Sequence, residues 1–260
     1  MKLLDLNVGI KLDNNKEVLD YIKKINADIC VFQEAMNAVD ESCFATFKSK
    51  NYIVSIEEYK FDSFAPLFIA SGITKNGKVV RDFGGKAEQG SLLISKYPIK
   101  EEYNQFYYNE YRYEYDATYF RESDWCRSIQ NVILDIDGKE LQIINVHGIW
   151  NKDKLGDSRT VKQSEFILSK VRKDIPSIVV GDFNLLPDTK SILMLDEKLN
   201  NLVKMYDIKT TRPTFDDGLD VGDIVCDYIF VNDLVIIKDF KVDYTIVSDH
   251  LPLHLEFDLK

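Results

Sequence analysis

Residues 177 to 184 read SIVVGDFN and give the clearest fold signal in the sequence. The β-branched run from 178 to 180 predicts a buried strand, and Gly181 allows the backbone to turn at its carboxyl end. Asp182 and Asn184 follow, and residues two apart on an extended segment point to the same side, so we expect both to face an open cleft. A carboxylate beside an amide suits water activation and phosphate contact, although an ordinary turn often carries the same residues.

A single α/β domain over residues 1–260 fits the composition. The 260 residues are 45% apolar, which is enough to bury a large core. With 33 basic and 43 acidic residues the net charge is −10 at pH 7, so the protein as a whole repels polyanions. Phosphate binding therefore requires a local site or a metal ion.

The sequence also predicts where the protein resides. Its first apolar run, at residues 3–4, is too short for a signal peptide, and no stretch approaches a membrane span. The four cysteines (Cys30, Cys43, Cys126 and Cys226) have no CxxC or CxxH spacing, which predicts free buried thiols and neither a zinc site nor disulfides. We expect a cytoplasmic monomer without a membrane span.

The first 34 residues predict a strand-helix-strand unit. Apolar residues from 3 to 8 form a strand with Asn7 at its carboxyl end. Helical spacing from 18 to 25 returns the chain to a second strand at 28–32, which ends at Glu34. Asn7 and Glu34 should therefore converge at neighbouring strand ends.

The rest of the chain predicts further strands and helices. Asp137-Gly138 between two apolar runs is the strongest hairpin signal. Alternation from 251 to 259 predicts a last strand with His254 on its solvent face, and residues 36–50 predict a weaker helix. Other strands are predicted near residues 52–56, 66–70, 90–95, 127–136, 140–146, 223–231 and 235–242, and helix caps at Asn14, Ser158 and Asp188.

Residues 103 to 120 form a tyrosine-rich segment with seven of the 14 tyrosines. Aromatic side chains can stack on nucleobases. However, residues 101–127 contain seven acidic residues and only three arginines, which disfavours a nucleic-acid surface. A partly exposed sheet or a flap on the substrate side is the favoured interpretation.

Polar residues gather where the predicted strands end. Carboxylates such as Glu34 and Asp249 offer the hard oxygen ligands that Mg²⁺ or Mn²⁺ prefer. A carboxylate can orient an attacking water, Asn and His can donate to phosphate oxygens, and an Asp-His pair can position an imidazole. Each residue alone is also a common turn residue or cap. The set comprises Asn7, Glu34, His147, Asp182, Asn184, Asp227, Asp249 and His250.

The ordered set of motifs resembles the endonuclease/exonuclease/phosphatase superfamily. The motifs span nearly the whole chain and read Asn7, Phe32-Gln33-Glu34, Gly90 with Leu93 to Ile99, Asn145-Val146-His147, Gly181 to Asn184, Asp227-Tyr228-Ile229 and Ser248-Asp249-His250. The resemblance implies a four-layer α/β sandwich, with two mixed β-sheets packed face to face and helices outside. It also implies an Mg²⁺-dependent (or Mn²⁺-dependent) attack of water on a phosphoester.

The resemblance implies a role for each site residue. Glu34 would hold the metal, supported by Asn7 and Asp249. Asp182 would orient the water, and Asn184 and His147 would contact the phosphate. His250, paired with Asp227, would stabilise the transition state. The chain departs from the family pattern in two places: no aromatic residue precedes Asn7, and Gly148-Ile149-Trp150 follows His147.

We therefore predict a hydrolase that attacks a phosphodiester with activated water, with nucleic acid as one possible substrate. One alternative is a small-molecule phosphatase or a phospholipid-headgroup phosphodiesterase. Another is a non-catalytic phosphate-binding module, which should lack a metal or water residue, and none is missing. Lys75, Lys78, Arg81 and Lys86 are the one modest basic cluster, and their position relative to the metal site bears on a nucleotide-strand substrate.

Overall fold

Two mixed β-sheets pack face to face with helices on their outer faces, so the predicted four-layer α/β sandwich is confirmed. The computed structural model describes residues 1–9, 15–75, 78–113, 126–212 and 224–260. The strands in these residues are β1 (Lys2–Asn7), β2 (Ile29–Ala38), β3 (Phe61–Lys75), β4 (Lys78–Ser95), β5 (Ile99–Tyr108), β6 (Arg112–Tyr113), β7 (Arg127–Ile136), β8 (Lys139–His147), β9 (Ser177–Asp182), β10 (Asn200–Asn201), β11 (Asp227–Val231), β12 (Val235–Val242) and β13 (Leu253–Leu259). The helices are α1 (Asn15–Ile25), α2 (Ser49–Ile53), α3 (Ser158–Lys170), α4 (Lys190–Asp196) and α5 (Leu202–Met205), with a 3-10 turn at Ala45–Phe47.

The strand orders place β1 inside its sheet. The described seven-stranded sheet runs β12-β13-β1-β2-β4-β3-β6, and the six-stranded sheet runs β10-β11-β9-β8-β7-β5. β1 is parallel to β2, and β8 is parallel to β9. On its other side β1 pairs antiparallel with β13, where Lys2 lies opposite Glu256. β1 thus depends on β13 for pairing along one of its two edges.

Alternating side chains divide the core into layers. Leu3 and Val31 of the first sheet belong to the same buried cluster as Ile143 and Val180 of the second sheet. Their neighbours point the other way, and Leu4 packs on the outer face of the first sheet against α1. Successive strand residues face opposite sides, so alternate residues of one strand pack between the two sheets and the others pack on the outer face of the sheet.

A buried polar layer joins the two sheets on the inner face. Gln33 Nε2 donates to Asp5 Oδ1 at 2.9 Å and to Asn145 Oδ1 at 2.8 Å. Asn145 Nδ2 in turn donates to Gln130 Oε1 at 2.9 Å and to the Phe32 carbonyl at 3.0 Å. Because Asp5 and Asn145 lie two residues before Asn7 and His147, this layer lies directly beneath the ends of β1 and β8.

Several local predictions are confirmed. The hairpin forms about Asp137-Gly138, whose φ values of 53° and 91° suit a tight turn. All four cysteines are buried and free. Tyr103 to Tyr108 lie in the edge strand β5, whereas 114–120 fall outside the described residues, as does the Asn14 cap. Within the described ranges, no helix is long and apolar enough to cross a bilayer.

Other local predictions are wrong. Residues 36–50 do not form one helix, because β2 continues to Ala38 by pairing with β4, and residues 52–56 do not form a strand, because α2 runs to Ile53 and turns follow it. Pairing with a neighbouring strand here outweighs local helical spacing. α3 is capped by Asp157, which accepts from the Arg159 and Thr160 amides, and not by Ser158.

Two further side chains differ from expectation. Asp188 does not cap α4, whose N-cap is Thr189 without a side-chain bond. His254 is not a solvent-facing spacer, because its side chain is 12% exposed and its Nε2 lies 2.7 Å from the Tyr21 hydroxyl. α1 covers this part of the polar face of β13, which the alternation pattern of one strand cannot reveal.

The glycine that ends β9 should be intolerant of any side chain. Gly181 has a φ of +132°, and a Cβ there would lie 2.2 Å from the Val146 carbonyl oxygen of β8. Gly138, with φ +91° and nothing within 4 Å of an added Cβ, is the matched control. We expect Gly181→Ala to lower the free energy of unfolding by about 3 kcal/mol or more, against about 1–2 kcal/mol for Gly138→Ala. Urea titration measures both, and equal losses would contradict the tight β8-β9 contact.

Candidate functional site

Strand register brings the predicted residues of both sheets to one edge of the sandwich. In the second sheet His147 lies opposite Asp182, and Asp182 lies opposite Asp227. In the first sheet Asn7 ends β1 beside the irregularity in β2 that carries Glu34. Asn7 Nδ2 donates across the sandwich to Asp182 Oδ2 at 3.1 Å. The two sheets therefore contribute to one cluster.

Asp182 is the centre of this cluster. Its Oδ2 accepts from the Asn7 and Asn184 side-chain nitrogens, both at 3.1 Å, and its Oδ1 accepts from the Asn184 backbone N–H at 2.7 Å. The Nε2 atoms of His147 and His250 each lie 3.9 Å from Oδ2. A single oxygen atom can bridge two polar groups at such a separation.

Asp182 and Asn184 come together for a different reason than the sequence predicts. Asn184 is not extended, because its φ is 58° and its backbone N–H bonds back to the Asp182 side chain in an Asx turn. The expectation that both residues face an open cleft is also wrong, since they are only 1% and 3% exposed. Their polar atoms are covered by the other residues of the cluster.

Glu34 occupies a strained backbone position. Its φ of 57° is rare for a residue with a side chain, and it falls where β2 loses register with β4. Glu34 Oε1 lies 3.4 Å from Asn7 Nδ2 and 3.7 Å from His147 Nε2. Burial raises the pKa of Glu34, and the nearby negative charge of Asp249 raises it further. The bulge thus aims a carboxylate at the cluster in spite of the electrostatic cost.

His250 is held as a cation by Asp227. The His250 Nδ1 lies 2.8 Å from Asp227 Oδ1, and the Thr211 hydroxyl donates to Asp227 Oδ2 at 2.7 Å. Burial alone would lower the pKa of His250, but the charge and hydrogen bond of Asp227 outweigh it and raise the pKa well above its usual value. The predicted Asp-His pair is present, and its Nε2 faces Asp182.

His147 is neutral. Burial and, after it, the positive charge of Arg127 together lower the pKa of His147 to about 3. The two histidines near Asp182 are therefore pushed in opposite directions, one to imidazolium and one to imidazole. Such separation of titratable groups is how one site provides both charged and neutral donors.

Asp249 lies at the rim of the cluster. Its Oδ2 accepts from Arg212 Nη2 at 3.1 Å, and the side chain is 27% exposed. Its Oδ1 would lie 2.7 Å from a Cβ added to Gly9, which has a φ of +60°. A glycine is therefore needed two residues after Asn7 to leave room for this carboxylate.

Some residues of the site were not predicted from the sequence. Arg127 is buried and donates to the Gly148 and Cys126 carbonyls, and Lys154 is buried against Asn184. Arg212 binds Asp249 from a separate segment. Nothing in the sequence distinguishes these three residues, because lysines and arginines are usually solvated.

Two side chains of α3 contact the loop that follows His147. Gln163 of α3 accepts the Ile149 backbone N–H at 2.8 Å and the Tyr107 hydroxyl at 3.1 Å through Oε1. Arg159, one turn earlier, donates to Asn151 Oδ1 at 3.0 Å. α3 thereby fixes the loop that follows His147.

A group that can hold a metal ion lies within the described residues. Asp182, Cys226, Asp227 and His250 each place one ligand atom within 4.8 Å of the others. However, Asp227 and His250 are already hydrogen-bonded to each other, and burial raises the pKa of the Cys226 thiol to about 12. A protonated thiol does not ligate, and Mg²⁺ prefers oxygen. This group fits a hydrogen-bonded relay better than an Mg²⁺ site.

Comparison with known families accounts for this arrangement. Residues 7–250 match the model of the Endonuclease/Exonuclease/phosphatase family, so the match begins at the first site residue and ends at the last. The chain belongs to this family. The endonuclease/exonuclease/phosphatase family consists in general of phosphoester hydrolases, and the resemblance stated from the motifs is confirmed. No curated protein matches the sequence.

Solved structures of the endonuclease/exonuclease/phosphatase family share the fold. A protein of this family from Beutenbergia cavernae is 14% identical with a TM-score of 0.73, over 100% of this chain and 71% of that one. One from Leptotrichia buccalis is 18% identical with a TM-score of 0.70, over 100% of both chains. A mannosyl-6-phosphatase from Bacteroides thetaiotaomicron is 15% identical with a TM-score of 0.65, again over 100% of both. At these identities the likeness shows the fold.

The low pKa of His147 should appear in the pH dependence of stability. An unfolded histidine titrates near pH 6.5, whereas His147 in the folded protein titrates at about 3. Between these values the unfolded chain binds more protons, so the folded state loses stability as the pH falls through 6.5. This residue should account for about 2 kcal/mol of the loss down to pH 5.

Urea unfolding at pH 7 and pH 5 measures this effect. His147→Gln has no titratable group at this position, so we expect its stability to fall less than that of the parent by about that amount. The same pH dependence in both proteins would mean that His147 titrates normally in the folded state.

Proposed function

We propose that the protein is a divalent-metal-dependent hydrolase that attacks a phosphodiester with an activated water. The observation that carries the proposal is the contact of Asp182, from one sheet, with Asn7 of the other, between a neutral and a charged histidine. This arrangement puts a carboxylate, two imidazoles and amide donors around one point. Membership of the endonuclease/exonuclease/phosphatase family supports the same reaction type.

Glu34 and Asp249 would hold the metal ion. Their side chains are 23% and 27% exposed, so both reach the solvent side of the cluster. The negative charge of Asp249 raises the pKa of Glu34, and a divalent cation between two such carboxylates would remove this repulsion. A divalent cation held there would polarise the phosphoryl oxygens and offset their charge.

Asn7 would support the metal indirectly. Its Nδ2 faces Glu34 and Asp182, and its Oδ1 accepts the Gly9 backbone N–H at 2.9 Å. In this orientation the side-chain nitrogen faces the carboxylates, and the side-chain oxygen faces the Gly9 backbone. We therefore assign Asn7 to orienting Glu34, and direct ligation would require its amide to rotate.

The remaining residues would act on water and phosphate. Asp182 would orient the attacking water and accept its proton. His250, kept charged by Asp227, would donate from Nε2 to the charge that develops on the phosphate. Neutral His147 and the amide of Asn184 would contact the phosphate oxygens. Each role matches the protonation or donor capacity of the group.

A small phosphoester is the second candidate substrate, and charge favours it over a long nucleic acid. Lys78 and Arg81 lie on the distal part of β4, while Gln89 of the same strand contacts Glu34. Lys78 and Arg81 precede Gln89 by eleven and eight residues of that strand (89 − 78 and 89 − 81). A basic surface beside the metal residues would have favoured a nucleotide strand as substrate. Lys78 and Arg81 lie instead on the part of β4 that is far from Glu34. One relative of the same fold is a mannosyl-6-phosphatase.

We further propose that residues 1–260 form one domain that acts as a monomer in the cytoplasm. The four buried free thiols support a reducing compartment. A non-catalytic module is disfavoured, because all eight site residues are present and seven are linked by contacts of 3.9 Å or less.

Asp182→Asn should remove turnover with Mg²⁺ or Mn²⁺. We expect the rate to fall by about 10²–10⁴ because the variant cannot accept a proton from water. The variant should also lose about 1–3 kcal/mol of stability. The side-chain nitrogens of Asn7 and Asn184 now donate to Asp182 Oδ2, and in the variant they would face the new NH₂ group, which cannot accept. Assays on single- and double-stranded DNA, RNA, a chromogenic phosphodiester and inositol phosphates, below the melting midpoint, measure the rate. Turnover at the parent rate would show that Asp182 is only a turn residue.

Glu34→Gln should weaken Mn²⁺ binding. Neutralising one of two facing carboxylates removes half of the charge that attracts the ion, and we expect about tenfold or greater loss of affinity. Glu256→Gln is the control, because this exposed carboxylate lies on β13 and pairs with Lys2. Calorimetric Mn²⁺ titration of the three proteins distinguishes the site from general acidity. Equal affinities for all three would remove Glu34 from the metal site.

A further inference from the structure

Lys154 is a buried cation at the edge of the site. It lies in the loop between β8 and α3, is 7% exposed, and has a φ of 58°. Its ammonium donates to Asn184 Oδ1 and lies 5.5 Å from the centre of the Trp150 ring. Its charge also contributes to the low pKa of His147. The ammonium therefore lies beside residues that we assign to phosphate contact.

This buried charge has no acidic partner in the described parts of the chain. No carboxylate there lies within 4.0 Å of the Lys154 ammonium, whereas Arg212 in the same site has Asp249 at 3.1 Å. Removing an ammonium group from water without a counterion is costly. An amide oxygen and an aromatic face compensate only part of that cost. The ammonium has three donors and uses one on Asn184.

We propose that Lys154, held in place by Trp150, binds an oxygen of the substrate's phosphate group beside Asn184 and favours doubly charged phosphomonoesters. This inference rests on the proposed phosphoester hydrolysis and, within it, favours the second candidate, a small phosphoester, over a phosphodiester. The two remaining N–H donors suit an anionic oxygen. Because a phosphomonoester carries close to two negative charges at pH 7 and a diester carries one, the attraction of a cation is larger for the monoester.

Trp150 is the positioning residue of this subsite. It is 47% exposed, in the loop after His147 where the chain departs from the usual pattern of the endonuclease/exonuclease/phosphatase family. Its ring attracts the ammonium and confines a side chain that would otherwise seek water. Its exposed part extends the subsite toward solvent, where the group esterified to the phosphate must lie.

Lys154→Met tests the proposal with the least change in shape. Both side chains are unbranched and meet the same backbone strain at φ 58°. Lys152→Met is the matched control, because Lys152 is exposed in the same loop and loses the same charge. We expect Lys154→Met to weaken the binding of inorganic phosphate, measured by calorimetry with and without Mg²⁺, by about ten- to a hundredfold. Lys152→Met should bind as the parent does.

Kinetics with two chromogenic esters provide the second measurement. The kcat/KM of Lys154→Met should fall more for 4-nitrophenyl phosphate than for bis(4-nitrophenyl) phosphate, mainly through KM. The control should keep the parent's ratio. An unchanged phosphate affinity or an unchanged ratio in Lys154→Met overturns the inference.

Stability separates a ligand-binding role from a structural one. Removal of an uncompensated buried charge should leave the melting temperature equal or higher. A destabilised variant with parent-like phosphate affinity would assign Lys154 to the fold and overturn the proposal. Trp150→Leu is the second variant, and it should weaken phosphate binding severalfold without a change in fold. Parent-like phosphate affinity in Trp150→Leu overturns the role of Trp150. If Lys154→Met does not fold, the same result overturns the whole proposal.

The two proposals fail in different ways. If the parent hydrolyses neither ester nor any other phosphoester, the proposed function is wrong, and the phosphate titration still decides whether Lys154 binds the anion. If the parent hydrolyses an ester and Lys154→Met matches it in phosphate affinity and ester ratio, the subsite alone is wrong. Absence of phosphate binding by the parent also overturns the subsite.

Discussion

The Gln33 side-chain amide holds the two sheets in a fixed relation. Its nitrogen donates to Asp5 in its own sheet and to Asn145 in the other. All three side chains are at most 1% exposed, so any displacement of one sheet against the other would leave buried polar groups unsatisfied. An apolar interface would tolerate sliding, whereas this one permits one register. The neighbouring contact of Asn7 with Asp182 depends on that register.

The electrostatics of the site are local and differ from those of the whole molecule. The chain carries a net charge of −10, yet Arg127 and Lys154 are buried around Asp182 and His147. Low solvent exposure strengthens every interaction among these groups. Overall charge therefore reports on long-range attraction of polyanions, while the buried basic residues determine what the site itself can bind.

Much of the site could be predicted because strand ends are visible in a sequence. Asn7, His147 and Asp182 each follow an alternating or β-branched run, and parallel pairing brings such ends together. The ordered motifs then identified the endonuclease/exonuclease/phosphatase family, and with it the second sheet and the layers that periodicity alone does not define.

What could not be predicted depends on contacts distant in sequence. Glu34 reaches the site through a bulge and a positive φ, which arise where β2 changes its pairing with β4. Residues 36–38 fall in the predicted weaker helix but extend that strand. Asp182 and Lys154 are buried by residues distant in sequence, and neither residue type is normally buried. The hydrophobic pattern of a strand predicts which of its faces is buried, but it gives no information on what covers the end of the strand.

The place of β1 has a consequence for how the protein is made. β1 needs β13 on one side, and the site needs His250, which precedes β13 by only a few residues. In a nascent chain made only as far as β12, β1 has β2 beside it but lacks β13, so one of its edges is unpaired. An unpaired strand edge is a site where chains associate wrongly. β13 thus covers the open edge of β1, and His250 just before it completes the cluster around Asp182, so a chain made only as far as β12 lacks part of the site.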